Sequence, residues 1–185
     1  NQGRWAGLYS KAPGMNYGEG VFGPSRCNRP ADIVDGLSNT LAISEVKAFT
    51  QRIAGASNTA KFSPPLAPPS TISTLSLGTF NPNTFTHVEW VDGKVHETGF
   101  TTTLPPNTKV LYASGGMNYD IDYISATESN TSDTYAAVTS RSFHTGGVNA
   151  LLLDGAVRFV ADSHDPLTCS AHGTTPRADG AGGHW

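Results

Sequence analysis

Alternation of apolar and polar residues is clearest over residues 148–160, where two short runs flank Asp154-Gly155. In the first run Val148, Ala150 and Leu152 share one face of an extended chain. Asp-Gly is a favoured pair in tight hairpin turns, because glycine accepts a positive φ angle. The pattern therefore predicts a β-hairpin over these residues.

The same alternation extends to both sides of this turn. In the second arm Val157 and Phe159 lie on the face opposite Arg158. Upstream, the sequence predicts a further strand at residues 135–140. It also predicts a turn at His144-Thr145-Gly146-Gly147, which leads into the hairpin.

A second hairpin is predicted around Asp92-Gly93, with arms at 86–91 and 94–99. A two-residue loop in that register would set Glu89 opposite His96, as a cross-strand charge pair. Strands are also expected at 40–48 and 109–113.

Turn and helix signals predict the conformation of the remaining segments. A short helix is expected at 165–173, where Asp165 is a candidate N-cap and Pro166 occupies the first helical position. Irregular chain is expected at 1–31, 54–72 and 174–185. The Pro-Pro pairs of the middle segment favour an exposed, extended loop.

These elements indicate an α+β fold with a mostly antiparallel β-sheet, hairpins, long loops and a short C-terminal helix. The length of 185 residues suits one domain, and the 20 glycines and 12 prolines indicate many turns. We therefore expect a single extracytoplasmic domain over residues 1–185.

Charge limits the possible partners. Charged residues make up 15% of the chain and the net charge is -3, which argues against a nucleic-acid-binding surface. No run approaches the roughly 18 apolar residues that span a bilayer. The abundance of Ser, Thr and Asn is typical of extracellular β-proteins.

The two cysteines, Cys27 and Cys169, lie too far apart for a CxxC redox or zinc motif. In an oxidising compartment they could close one long loop as a disulfide. Their pairing is left open by the sequence.

Residues 142–160 carry the most specific motif of the chain, in which His144 is separated by nine residues from Asp154-Gly155. This block resembles the C-terminal motif of planctomycete-type prepilin-like proteins of unknown function. Two further blocks, 33–41 and 86–103, are similar to the same family.

The resemblance implies a soluble head whose membrane-anchoring, filament-forming helix precedes the present chain. It implies partners that are copies of the same protein or components of a secretion or pilus apparatus. The motif residues expected to act as structural or contact positions are His144, Gly146, Gly147, Asn149, Asp154 and Gly155.

The alternative is an extracellular hydrolase or carbohydrate-active protein. His144 and Asp154 are a candidate pair in which the carboxylate orients a general base, with Ser142 as nucleophile or Glu89 as a further acid. No Gly-x-Ser-x-Gly elbow is present. A structural role for the pair is therefore the preferred interpretation.

No cofactor is expected, with calcium as one open alternative. Asp120 and Asp122 lie two residues apart, so in a loop both carboxylates could face one hard cation. No EF-hand spacing follows them.

Overall fold

The computed structural model describes residues 3–6, 21–22, 27–55, 69, 78–102, 104–124 and 133–164. Within these ranges the chain forms nine strands, a short α-helix and two single-turn 3-10 helices, at Pro30–Asp32 and Leu37–Asn39. The strands are β1 (Gly3–Ala6), β2 (Leu41–Ser44), β3 (Thr50–Gly55), β4 (Gly78–Thr86), β5 (Leu111–Ser114), β6 (Met117–Ile124), β7 (Asp133–Ala137), β8 (Gly147–Leu152) and β9 (Val157–Ala161), and α1 is Val95–Thr98.

The larger sheet has the strand order β1-β7-β6-β3-β4. Its neighbours are antiparallel except for β3 and β6, which run parallel. The first half of β6 forms a hairpin with β5, and its second half lies between β7 and β3. Gly115 and Gly116, with φ of 58° and 79°, make the turn of that hairpin.

The smaller sheet has three strands in the order β2-β8-β9, all antiparallel. One face buries Val148, Ala150 and Val160, against which Leu41 packs. This is the apolar face that the alternation of the first hairpin arm predicts. The opposite face carries Val157 and Phe159, which are exposed.

The core of the larger sheet consists of two clusters of buried side chains. One is centred on Ile53, Ile121 and Tyr123, with Phe80 and the aromatic rings of Tyr112 and Tyr119 packed against it. The other joins Val95 of α1 to residues of β6 and β7. The fully buried Val95 side chain therefore supplies the apolar contact between the helix and the sheet.

The predicted β-rich, mostly antiparallel architecture is confirmed. The hairpin at 148–160 forms around Asp154-Gly155 as predicted. The strands expected at 40–48, 109–113 and 135–140 form over shorter or shifted ranges, as β2, β5 and β7.

The predicted hairpin at 86–99 is wrong. Strand β4 ends at Thr86, where the predicted first arm begins, and the predicted second arm contains the helix α1. The carboxylate of Glu97 accepts the N–H groups of Val88 and Glu89, both at 3.0 Å, in the place that a partner strand would take. Burial of Val95 and His96 then fixes the helical turn against the sheet.

Two further expectations are corrected. The segment 1–31 is not irregular throughout, because Gly3–Ala6 pair with β7 as strand β1. Asp120 and Asp122 lie in strand β6 and not in a loop. The helix expected at 165–173, most of the proline-rich segment and the C-terminal tail lie outside the described residues.

Candidate functional site

Residues 138–147 connect β7 of the larger sheet to β8 of the smaller one, and they contain the first half of the motif. We call this segment and its polar partners the joint. It is densely hydrogen-bonded: the Arg141 N–H donates to the Glu45 carbonyl at 3.0 Å, and the Asp162 N–H donates to the Gly146 carbonyl at 2.8 Å. Its side-chain bonds come chiefly from Asn107, Glu45 and Arg141.

Asn107 binds three parts of the joint with one amide side chain. Its Oδ1 accepts the Ser142 N–H at 2.8 Å, while its Nδ2 donates to the Gly147 carbonyl at 3.2 Å and to Asp162 Oδ1 at 2.7 Å. Its own N–H donates to the Ser140 carbonyl at 2.9 Å. Its φ of 55° is in the left-handed region, which Asn tolerates better than most residues.

Glu45 follows β2 and ties it to β8. One carboxylate oxygen accepts the Asn149 N–H at 2.7 Å, and the other lies 3.2 Å from both Asn149 Nδ2 and His144 Nε2. The Asn149 N–H, more than any other group, lowers the pKa of Glu45, and the Asn149 amide and His144 act in the same direction. The folded state therefore favours the ionised form of Glu45.

Arg141 places a guanidinium in the interior, with its side chain 4% exposed. Nη1 donates to Asp120 Oδ2 at 2.6 Å, and Nη2 donates to Asp122 Oδ1 and to the Ile121 carbonyl, both at 3.3 Å. Asp120 and Asp122 share one side of β6 because they are two residues apart on a strand. The planar fork of arginine therefore holds the end of the joint against β6.

Asp122 is buried beside this guanidinium. It accepts the Thr139 N–H at 3.2 Å and the Thr86 hydroxyl at 2.9 Å. Burial raises the pKa of Asp122, and Arg141 and these two donors oppose that shift. The carboxylate is thus part of a closed structural network.

His144 and Asp154 do not meet. His144 precedes β8 and Asp154 follows it, and a strand of this length spans about 17 Å at about 3.4 Å per residue. Asp154 is exposed and its Oδ1 accepts the Ala156 N–H at 2.9 Å, closing the hairpin turn. The partner of the His144 ring is Glu45, which the sequence-based interpretation missed.

Ser142 is committed to the turn. Its hydroxyl donates to the Gly147 carbonyl at 2.6 Å and accepts the His144 N–H at 3.0 Å. The hydroxyl is therefore bonded to backbone groups on both sides, and the His144 ring is directed toward Glu45. This geometry lacks the nucleophile–base contact of a serine hydrolase.

Glu89 belongs to a different part of the molecule, the exposed loop that ends in α1. Its N–H binds Glu97, and the predicted contact between Glu89 and His96 is wrong because no hairpin forms here. His96 is buried with its Nε2 3.3 Å from Glu97 Oε1. The four candidate catalytic residues thus do not form one site.

The motif glycines have separate physical roles. Gly146 and Gly155 have φ of 87° and 89°, which a side chain would strain. Gly147 is required by packing, because a Cβ atom there would lie 2.2 Å from the Val160 carbonyl oxygen and 2.8 Å from the Phe159 ring.

Calcium binding stays a prediction. The guanidinium of Arg141 is a partner that Asp120 and Asp122 share. Among the residues that the structure describes, no group of three His, Cys, Asp or Glu side chains is arranged to hold a metal ion. Cys27 is exposed, and Cys169 lies outside the described ranges, so the disulfide also stays a prediction.

The sequence matches the model of a family described as protein of unknown function (DUF1559) over residues 7–167. The chain belongs to this DUF1559 family. The match covers the joint, the smaller sheet, strands β3 to β7 of the larger sheet and every motif residue discussed above.

No curated protein and no solved structure matches the chain. Within the part of the chain that the structure describes, no helix is both long and apolar enough to cross a membrane.

Proposed function

We propose that this DUF1559 chain is the extracytoplasmic head of a prepilin-like or pseudopilin-like subunit, with a structural or binding role. The observation that carries the proposal is the construction of the joint. Ser142 and Asn149 of the motif block are bonded to backbone groups and to the side chains of Asn107 and Glu45, where the chain passes from the larger sheet into the smaller one.

The chemistry of the joint supports a non-enzymatic role. An active site requires a reactive group that is free to meet a substrate. Here the Ser142 hydroxyl, the Asp154 carboxylate and the Glu45 carboxylate each accept or donate hydrogen bonds that hold a turn or a strand end. The same bonds give a rigid head, which an assembled subunit needs.

Such a head lies outside the cytoplasm, and its partners are copies of itself or components of a secretion or pilus apparatus. Composition supports this: few charges and many hydroxyl and amide side chains suit an extracellular β-rich surface. Such a subunit carries a cleaved leader and an apolar helix upstream of its head.

The test is the N-terminus of the protein made in its native cell. We expect N-terminal sequencing of the membrane and sheared-surface fractions to find a leader removed directly before an apolar helix. The same chain from cells lacking the prepilin peptidase should retain its leader. An unprocessed protein confined to the cytoplasm would contradict the proposal.

A further inference from the structure

The face of the smaller sheet that points away from its core carries both apolar and motif side chains. Cross-strand pairing aligns Ile43, Leu151 and Val157 in one row, and Asn149 with Phe159 in the next. Glu45 and His144 continue that second row through their contacts with Asn149. We call this surface the motif face.

The apolar side chains of the motif face are open to solvent. Val157 is 67% exposed, Ile43 59% and Phe159 54%. The Phe159 ring leans over Gly147, whose missing side chain leaves it room. Contiguous exposed apolar side chains of this kind are typical of interaction surfaces.

Strand β9 also presents free backbone groups, since within the described residues it pairs with β8 alone. The Leu152 N–H binds the Ala156 carbonyl, and the Asp162 N–H binds the Gly146 carbonyl. Even-numbered residues therefore bond to β8, and Val157, Phe159 and Ala161 direct their N–H and C=O groups outward. This edge is a template for another strand.

The other edge of the sheet is less suitable for pairing. Strand β2 has a register shift between Leu41 and Ile43, and irregularities of this kind discourage edge pairing. Strand β9 pairs in unbroken register from Val157 to Ala161.

We infer that β9 is the contact between two copies of this chain, paired antiparallel about a two-fold axis near Phe159 and Val160. Charge selects this occupant and this orientation. Antiparallel pairing brings Arg158 of each copy directly or diagonally toward Asp162 of the other. Parallel pairing in register would instead set Arg158 against Arg158.

The two three-stranded sheets then become one six-stranded sheet, and their motif faces join across the two-fold axis. Phe159 of each copy approaches Phe159 of the other across the axis, so the apolar rows become continuous. A two-fold contact of this kind uses the same surface on both copies. This self-association gives the proposed head its partner, and it rests on the proposed function.

The test is self-association of the full chain, measured by sedimentation velocity over a range of concentrations. We expect Val157→Lys to weaken association at least tenfold, because it places a charge in the apolar row that the second copy covers. The matched control is Val91→Lys, since Val91 is 74% exposed in a loop outside the smaller sheet. Circular dichroism checks that both variants fold.

Cross-linking tests the geometry. In a background in which Cys27 and Cys169 are replaced by Ser, Phe159→Cys should form a covalent dimer with a short bismaleimide cross-linker, and Val91→Cys should not. A wild-type chain that stays monomeric, or a Val157→Lys variant that associates as well as wild type, overturns the inference. Protection of the Phe159 amide from hydrogen exchange in a monomer, which signals pairing within the chain, also overturns it. None of these outcomes changes the N-terminal processing that tests the proposed function.

Discussion

Among single residues, Arg141 and Asp122 are the pair on which the interior depends most. Arg141 brings a positive charge into the interior, and Asp122 is the buried charge that receives it. Removal of one partner from a buried pair is costly because the other charge remains desolvated. The carboxylates of Asp120 and Asp122 suggested a cation site in the sequence, and both of them bind the Arg141 side chain, which lies 19 residues from Asp122 along the chain.

Arg141→Met should lower the free energy of unfolding by about 3–5 kcal/mol, because Asp122 loses its buried counter-charge. Urea titration measures the loss. The double variant Arg141→Met with Asp122→Asn removes both charges and should lose less than the single variant. A double variant as unstable as the sum of its two single variants would contradict this account of the pair.

Glu45 gives the molecule a defined dependence on pH. Its pKa is lower in the folded chain than its usual value of about 4.3, so its contribution to stability is complete above that value and is lost as pH falls through the folded pKa. The stability difference between wild type and Glu45→Gln should therefore be largest near pH 7 and shrink below about pH 4. Urea titrations at pH 7 and pH 3 measure it, with Glu89→Gln as the control for loss of an exposed carboxylate. An equal difference at both pH values would refute the role of ionised Glu45.

Among the elements, the two predicted hairpins had opposite outcomes for a physical reason. The hairpin at 148–160 depends on local signals: strict alternation and a turn whose Asp154 binds the Ala156 N–H. The segment 86–99 has an equally good turn signal, but its backbone donors are satisfied by Glu97. A side-chain acceptor that replaces a partner strand leaves no periodic trace in sequence.

Glu97→Ala should loosen the loop before α1, because two backbone N–H groups lose a charged acceptor. Hydrogen bonds to charged groups contribute about 1.5–3 kcal/mol, so amide exchange at Val88 and Glu89 should accelerate about tenfold or more. Hydrogen-exchange NMR measures these rates. Glu89→Ala is the matched control and should leave the Val88 rate unchanged. Unchanged exchange in Glu97→Ala would show that another contact holds the loop.

At the scale of the whole molecule, the joint is a polar connection between the two sheets. The two sheets have separate buried clusters, and polar bonds of the joint link them: Arg141 binds Asp120 of β6, and Asn107, which precedes β5, binds Gly147 of β8. Asn107 lies between α1 and β5, far from the motif in sequence, so no local signal marks it as a residue that organises the joint. Only its position beside Ser142 and Gly147 reveals that role.

Asn107→Gly should weaken the smaller sheet selectively, because it removes three side-chain hydrogen bonds while tolerating the positive φ. At about 0.5–1.5 kcal/mol for each of the three bonds, the free energy of unfolding should fall by about 1.5–4.5 kcal/mol. Native-state hydrogen exchange should show the amides of β8 and β9 opening before those of β6. Asn107→Ala adds backbone strain and should be less stable still. Uniform loss across both sheets would contradict the view that the joint couples them.

Local sequence signals were sufficient to predict the β-rich class and the hairpin of β8 and β9, because alternation and turn chemistry act between near neighbours. The tertiary structure alone decided that His144 meets Glu45, that Arg141 binds both Asp120 and Asp122, and that Glu97 replaces a strand. These partners lie from 8 to 99 residues apart along the chain. Their meeting depends on how the sheets pack, and packing is a property of the whole chain.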